Sequence, residues 1–472
     1  MRDVSAEAPT SKSTPGRAYR TYVLFLLTGV YTFNFIDRQI IGILSPAIKA
    51  DLGLADWQLG VLKGFAFAVL YTTLGIPIAR LADRKNRVTI ISIALALWSG
   101  FTAISGAATN FVQLALARVG VGIGEAGGSP PAHSLISDYF PKEERAGALA
   151  VYAMGIPIGV AFAFLAGGWL TQTFSWRVAF VVVGLPGLIM AVLLKLTVRE
   201  PPRGALDAKT DTDGFQALRV TEPIGTFERL MQAVFKLFPK NMRAVVFSET
   251  ATIWRAAKHL LSIPTYRAIV IGTTAISFST YANGTWIVDF YVRSHSTFPI
   301  LQIYLWLGVI SGTAYAAGTF LGGYLVDKFA ARDKKFYGYI PAIALLLNVP
   351  AFFVVIWHPN PVVSLIFQVP VQLAIGFYLG PAFALAQTLA PISVRALSTA
   401  VFFFILNMIA LGFGPTMAGF ISSALTGAFG EELALRVSLT VVSLTALLGA
   451  WMFYQAGKRI KTDWAKATGE EA

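Results

Sequence analysis

Apolar and polar positions alternate along this chain on the scale of a bilayer, not on the scale of a soluble helix. Twelve apolar runs, each near the ~20 residues that cross the hydrocarbon at about 1.5 Å per residue, are separated by short polar stretches. They predict membrane helices at about Tyr22–Pro46, Trp57–Ala82, Val88–Ala108, Phe111–Pro141, Ala146–Thr171 and Val178–Val198. After a polar interval come Tyr266–Val292, Pro299–Val326, Phe336–Trp357, Val362–Pro391, Ala396–Ala424 and Val437–Ala456. The predicted organisation is a tail over 1–20, a six-helix bundle over 21–198, a central loop over 199–264, a second bundle over 265–456 and a tail over 457–472. The first 20 residues are polar and carry no apolar core, so no cleaved signal peptide is expected.

The two bundles repeat one unit. At a constant offset, PAHSLISDYFPKEERAGALAVY from Pro131 matches PAFALAQTLAPISVRALSTAVF from Pro381, with Pro131/Pro381, Leu135/Leu385, Pro141/Pro391, Arg145/Arg395 and Val151/Val401 aligned. ARLADRKNR from Ala79 likewise echoes GYLVDKFAAR from Gly323. The fold class is therefore all-α and integral to the membrane, with twelve transmembrane helices in two six-helix pseudo-repeats. Parallel repeats with a site between them are the layout of a rocking-bundle transporter.

Composition agrees: 55% of the 472 residues are hydrophobic and 13% are charged, against about 25% charged in soluble domains. The net charge of +13 is spread over short loops without a basic–aromatic patch, so the lipid bilayer and not nucleic acid is the expected partner. Of 38 Lys and Arg, Lys49, Lys63, Arg177, Arg293 and Arg436 fall on one side, Arg38 and Arg118 inside the membrane, and the rest on the side that carries both termini. The positive-inside rule makes that side cytoplasmic. With no cysteines, disulfides and thiolate metal sites are excluded. No cofactor, no metal and no partner chain is expected; the protein reads as a monomer.

The fourth run carries Arg118 and Glu125, seven residues and so about two turns apart on one face, with Gly122 on it and Gly120, Gly124 and Gly128 as a small-residue ridge. Intramembrane charge costs several kcal/mol unless it is paired or faces water, so the default reading is a functional site; the alternative is a buried structural ion pair. The first run adds Asp37 and Arg38. If it ends near Pro46, Asp37 lies roughly 13 Å from the far end, between Arg118 at roughly 9 Å and Glu125 at roughly 20 Å. The expectation is a net-neutral layer of two acids and two bases. Glu125 is the expected main proton site with Asp37 as its partner; Arg118 and Arg38 are the expected head-group residues, Arg118 in exchange with Glu125 and Arg38 also holding Asp37 or the contact between helices 1 and 4. The second bundle has no deep charge; Tyr281, Asn283, Trp286 and Tyr378, with Asn407 further on, are the expected cavity wall, and Asn283-Gly284 a hinge. Packing or lipid exposure is the competing reading of each aromatic. In the central loop, Phe227–Phe238 and Thr250–Leu261 read as amphipathic surface helices joined to an acidic tether, Ala205–Gly214.

GIPIARLADRKNR from Gly75 resembles the loop 2–3 motif of the major facilitator superfamily, with Asn86 where that family places a glycine. NFIDRQIIGILSPAI, RVGVGIGEA and LISDYFPKEERAGALAVYAMGIPIG are similar to the Spinster branch in a bacterial member, which implies lysolipid-like or sphingoid phosphate substrates and a bacterial inner membrane as the location. The resemblance implies that helices 1, 4, 7 and 10 line the cavity. It further implies that Asp83 of the Asp83-Arg84 pair caps helix 11, that Arg87 reaches Asp138, and that Asp327 and Lys328 mirror this against helix 5, all as gate contacts on the terminal side. Gly155-Ile-Pro157-Ile-Gly159 resembles the family's helix 5 motif and reads as a surface between bundles. Enzymatic rivals are thin: His133 and Asp138 make an H-x4-D without companions, and no nucleotide, zinc or nucleophile-elbow motif is present. The function read from the sequence is secondary transport, proton-coupled, of an amphiphile with an anionic head. The alternatives are a small organic anion such as a sugar acid, drug-type export, or sodium as the coupling ion.

Overall fold

The structure, a computed structural model, describes residues 16–203, 257–390 and 395–468. The surface helix expected over Phe227–Phe238 and the tether over Ala205–Gly214 lie outside these residues, as does most of Thr250–Leu261. Everything described is helical or connecting turn. We number the helices by membrane crossing. In the first half these are α1 (Arg17–Leu52), α2 (Asp56–Lys63 and Phe65–Arg84), α3 (Arg87–Ser105), α4 (Phe111–Glu125 and Ser129–Tyr139), α5 (Lys142–Ala153 to Gly168–Thr173) and α6 (Trp176–Thr197). In the second they are α7 (Pro264–Ser294), α8 (Ile300–Ala330), α9 (Phe336–Trp357), α10 (Pro361–Thr388), α11 (from Arg395–Leu406 to Gly430) and α12 (from Gly430 to Thr468). Gly430 has φ 75°, a left-handed conformation that glycine adopts without strain, and it turns the chain back between α11 and α12.

By length and composition, α3, α5, α6, α8, α9, α10 and the α11–α12 pair contain spans apolar enough to cross a membrane. The helices outside that set are α1, α2, α4 and α7. They carry the buried charges Asp37, Asp56, Lys63, Arg118, Glu125 and Asp289, so departure from plain hydropathy marks the helices that supply most of the site's charge.

Several boundaries differ from the sequence expectation. α1 does not end at Pro46; it runs through it to Leu52 and closes on Gly53, φ 62°. Asp37 is therefore roughly 22 Å from that end. α2 breaks at Gly64 and α4 breaks between Glu125 and Ser129. α7 is continuous through Asn283-Gly284, where a hinge was expected; Asn283 Nδ2 donates to Ser279 Oγ at 3.1 Å, within the helix. α12 continues past Ala456 into the expected tail, and its Asp463 accepts the Thr265 N–H at 2.9 Å, capping the start of α7. Asn86, standing where the motif has a glycine, is the N-cap of α3 and accepts the Thr89 N–H at 2.8 Å. The 155–159 stretch meets both halves: Cβ atoms at Gly155 and Gly159 would press on Thr28, Tyr31, Thr32 and Phe35 of α1, while a Cβ at Gly312 of α8 would lie 3.7 Å from the Pro157 carbonyl oxygen, so the expected surface between bundles is formed through Pro157.

Candidate functional site

Two charged layers lie along the axis between the halves. One is near mid-membrane. The other is at the face opposite the termini, called here the far face.

The mid-membrane layer belongs wholly to the first half. Asp37, Arg118 and Glu125 are buried, at 2%, 1% and 1% exposure. Arg38 Nε donates to Glu125 Oε2 at 2.7 Å. Its guanidinium lies over three rings, 4.5 Å from Tyr71 and 5.3 Å from both Phe35 and Phe67. This corrects the expected Arg118–Glu125 exchange pair. Two helical turns separate those residues by about 10 Å along α4, too far for a direct pair. Arg118 instead donates to the Asp37 backbone carbonyl at 3.4 Å, and its guanidinium lies 5.5 Å from the Phe67 ring. Of the two options for Arg38, the contact between helices 1 and 4 is the one formed. Thr102 of α3 lies beside Asp37, and Asn34 beside Glu125. Asp37 Oδ1, Glu125 Oε1, Arg118 Nε and Asn34 Oδ1 are buried without a hydrogen-bond partner. Hydrogen-bonding capacity is thus left over in a place where unpaired polar atoms are costly.

Next to Arg38, toward the terminal face, both halves contribute tyrosines. Tyr31 (α1) stacks on Tyr152 (α5) with ring centroids 4.3 Å apart. Tyr71, Tyr281 (α7) and Tyr315 (α8) lie close enough to Tyr31 to interact electrostatically, and Tyr315 and Tyr281 in turn to Tyr378 (α10). Tyr378 shares a hydrogen bond of 3.0 Å with Ser277. Of these, the sequence reading named Tyr281 and Tyr378; Tyr31, Tyr71, Tyr152 and Tyr315 were missed. A signal for the first was available, since Tyr31 sits seven residues, two turns, before Arg38 on one face of α1.

The far-face layer was not anticipated as a unit. Its three principal ion pairs each join the two halves. Lys63 (α2) lies 2.6 Å from Asp289 (α7), and its ammonium sits 3.6 Å from the Trp286 ring centroid. Arg293 (α7) forks onto both oxygens of Asp56 (α2) at 2.7 Å each. Lys49 (α1) reaches Glu431 at 2.7 Å. Ser422 donates to Asp56 at 2.6 Å and Ser45 to Asp289. Backbones close in as well: a Cβ at Gly60 would lie 2.9 Å from the Pro415 carbonyl oxygen. Trp286, expected in the cavity wall, is fully buried here, because Trp286, Asp289 and Arg293 recur at helical spacing on one face of α7. Among the described residues, every polar link between the halves lies on this side of the mid-membrane layer.

Among the described residues, the hydrogen bonds and ion pairs of Arg87 on the terminal face stay within the first half. Arg87 reaches Asp138, as the resemblance implied, and also binds Glu200 at 2.6 Å and Ser134 at 2.7 Å. Glu200 was not foreseen; its other oxygen accepts the Val88 N–H at 3.0 Å at the start of α3. The side chain of Asp83 lies outside the described residues, and Arg84 is exposed. The mirrored contact of Asp327 and Lys328 is not formed among the described residues; the Lys328 ammonium sits 5.7 Å from the Tyr324 ring. His133 stands edge-on to Tyr152 at 5.1 Å while Asp138 is held by Arg87, so the H-x4-D pair is not assembled as a catalytic dyad.

Two six-helix halves, a charged layer between them at mid-membrane and a polar seal on one face define a membrane transporter of the alternating-access kind. Residues 27–415 match the Major Facilitator Superfamily, and the chain belongs to that family. It is 30% identical, over 95% of both chains, to an MFS-type efflux pump of Mycolicibacterium smegmatis. It is 28% identical to the hexuronate transporter of Bacillus subtilis over 57% of this chain and 64% of that one. Among solved structures it is similar to a bacterial homologue of the human lysosomal transporter Spinster, in an inward-facing and unoccupied conformation. That match has TM-score 0.78 and 30% identity, and it covers 95% of this chain and 99% of the other.

Proposed function

We propose that the protein is a proton-coupled carrier of amphiphilic anions, with Glu125 as the proton site and Arg38 as the head-group site. The observation that carries this is the Arg38–Glu125 pair at 2.7 Å, caged by Phe35, Phe67 and Tyr71 beside a tyrosine wall from both halves. A proton on Glu125 removes the charge that holds Arg38. The freed guanidinium then offers a planar fork to a phosphate or carboxylate. Conversely, an anion on Arg38 withdraws its charge from Glu125 and favours protonation there. Asp37 holds a second carboxylate beside Arg118, which keeps the layer neutral overall. The aromatic faces of Tyr281, Tyr315 and Tyr378 suit an apolar tail. On this reading the terminal face is cytoplasmic, and the chain crosses a bacterial inner membrane as a monomer.

A second reading, a small hydroxylated anion such as a sugar acid, is favoured by the likeness to the hexuronate transporter and by the tyrosine hydroxyls in the same wall. Proton flux separates the two. Purified protein in liposomes with an internal pH dye is offered lysophospholipids and sphingoid phosphates, then sugar acids. Flux with the amphiphiles that disappears in Glu125→Gln is the expected result. Flux with sugar acids alone selects the second reading. Substrate uptake without proton flux removes proton coupling and leaves sodium coupling or facilitated diffusion.

A further inference from the structure

On the terminal face, α7 and α12 separate just beyond a close crossing. A Cβ built at Gly449 would lie 3.2 Å from the Gly272 carbonyl oxygen, so the two backbones nearly touch there. Beyond it a cleft of about 320 Å³ opens between the helices. Ile271 and Met452 line its apolar part, Trp451 and Gln455 its side, and Arg267 and Arg459 its polar part. Arg267 is three residues into α7, and Arg459 lies past the apolar run of α12 that ends at Ala456. Both are therefore at head-group level. Trp451 is eight residues, about 12 Å, nearer the membrane centre and is half exposed. Neither guanidinium makes an ion pair or a side-chain hydrogen bond among the described residues.

We propose that this cleft binds one anionic phospholipid from the leaflet on the terminal face, with its phosphate between Arg267 and Arg459 and an acyl chain along Ile271, Met452 and Trp451. Basic pockets between membrane helices hold anionic lipid head groups in this way, and an interfacial tryptophan suits the boundary between head group and chain. Free phosphate would use the two arginines and leave the apolar side idle, which is why the lipid is the better occupant. A zwitterionic head carries its own cation and competes with the arginines for the phosphate charge. The site is separate from the transport path. It ties α12 to the end of α7 opposite the one that carries Trp286, Asp289 and Arg293.

The test is native mass spectrometry of the full chain in detergent, titrated with phosphatidylglycerol and with phosphatidylcholine of the same acyl chains. Wild-type protein should prefer the anionic lipid by at least tenfold, and Arg267→Gln/Arg459→Gln should weaken its binding by roughly thirtyfold. Arg332→Gln, on the same face but outside the cleft, should leave it unchanged. Met452→Asp, which puts a carboxylate on the apolar side, should weaken binding with both arginines in place, and it carries the test if the double variant does not fold. Equal lipid binding by wild-type and double-variant protein overturns the proposal. So does full competition by inorganic phosphate, which would mark an anion site and not a lipid site.

Discussion

The far-face layer and the mid-membrane layer use the same ingredients, buried carboxylates and basic side chains, but in opposite ways. In the far-face layer the three principal ion pairs run from one half to the other, with Lys49 also reaching Asp56 within the first half, and Lys63, Asp56 and Arg293 find close partners. In the mid-membrane layer the four charged residues come from α1 and α4 of a single half, and several polar atoms remain unpartnered. A bond between halves must break when the halves rock apart on that side, whereas a cluster inside one half travels with it. The first is suited to latch a conformation, the second to change its protonation while the frame around it stays rigid.

The largest expected effect falls on the mid-membrane layer. Glu125→Gln should reduce substrate-driven proton uptake in liposomes to the level of protein-free vesicles, and should leave access to the far face as it was. Proton uptake that persists in this variant would move the coupling site to Asp37 or to the seal. Next comes Lys63→Met. Removing one partner leaves Asp289 charged and buried, which costs about 3–5 kcal/mol in sites of this kind. The closed far face should then lose most of its population. Because the chain has no cysteine, Ser45→Cys provides a single label site within the seal. Labelling by a membrane-impermeant maleimide added on the far side should rise more than tenfold in Lys63→Met. The double variant Lys63→Met/Asp289→Leu should return it toward the original rate, since an apolar pair needs no counter-charge. Unchanged labelling would show that Gly60, Pro415 and their neighbours hold the far face shut without the ions.

The twelve crossings and the repeat were legible because bilayer thickness fixes the length of an apolar run, whatever its partners. The four charges of the mid-membrane layer were legible because charge is costly there. Their pairing was not: it depended on how far α1 runs past Pro46, and proline inside a helix gives no sign of whether the helix continues. The seal was hidden for a different reason. Lys49, Lys63 and Arg293 sit near the ends of apolar runs, where a basic residue ordinarily faces water, and only the packing of α2 against α7 and α11 buries Lys63. Trp286 was assigned to the cavity because its aromatic character was read without its helical phase; Asp289 three residues on, and Arg293 seven on, place it in the seal.

Smaller effects sharpen the same contrast. Arg87→Ala removes the Arg87 contacts to Asp138, Ser134 and Glu200 inside the first half, so thermal stability should drop by several degrees while far-side labelling at Ser45→Cys stays at its wild-type rate. Arg38→Lys keeps the charge but loses the planar fork and much of the stacking on Tyr71 and Phe67, which together correspond to about 1–2 kcal/mol. Apparent substrate affinity should fall roughly tenfold, measured as the KM of proton flux, with coupling to Glu125 retained.

The smallest effect is expected at Tyr281→Phe, and it bears directly on which substrate the wall serves. The substitution removes one hydroxyl from the second half and leaves the aromatic face in place. If the wall meets an acyl tail, the face is what matters, and KM should change less than about twofold. If it meets a hydroxylated anion, a hydrogen bond of about 1 kcal/mol is lost, and KM should rise about fivefold. Tyr378→Phe is a poor substitute for this purpose, because its hydroxyl is already engaged by Ser277 and its loss would disturb the packing of α7 against α10. Tyr281, half-buried and beside Arg38, separates the two cases with the frame intact.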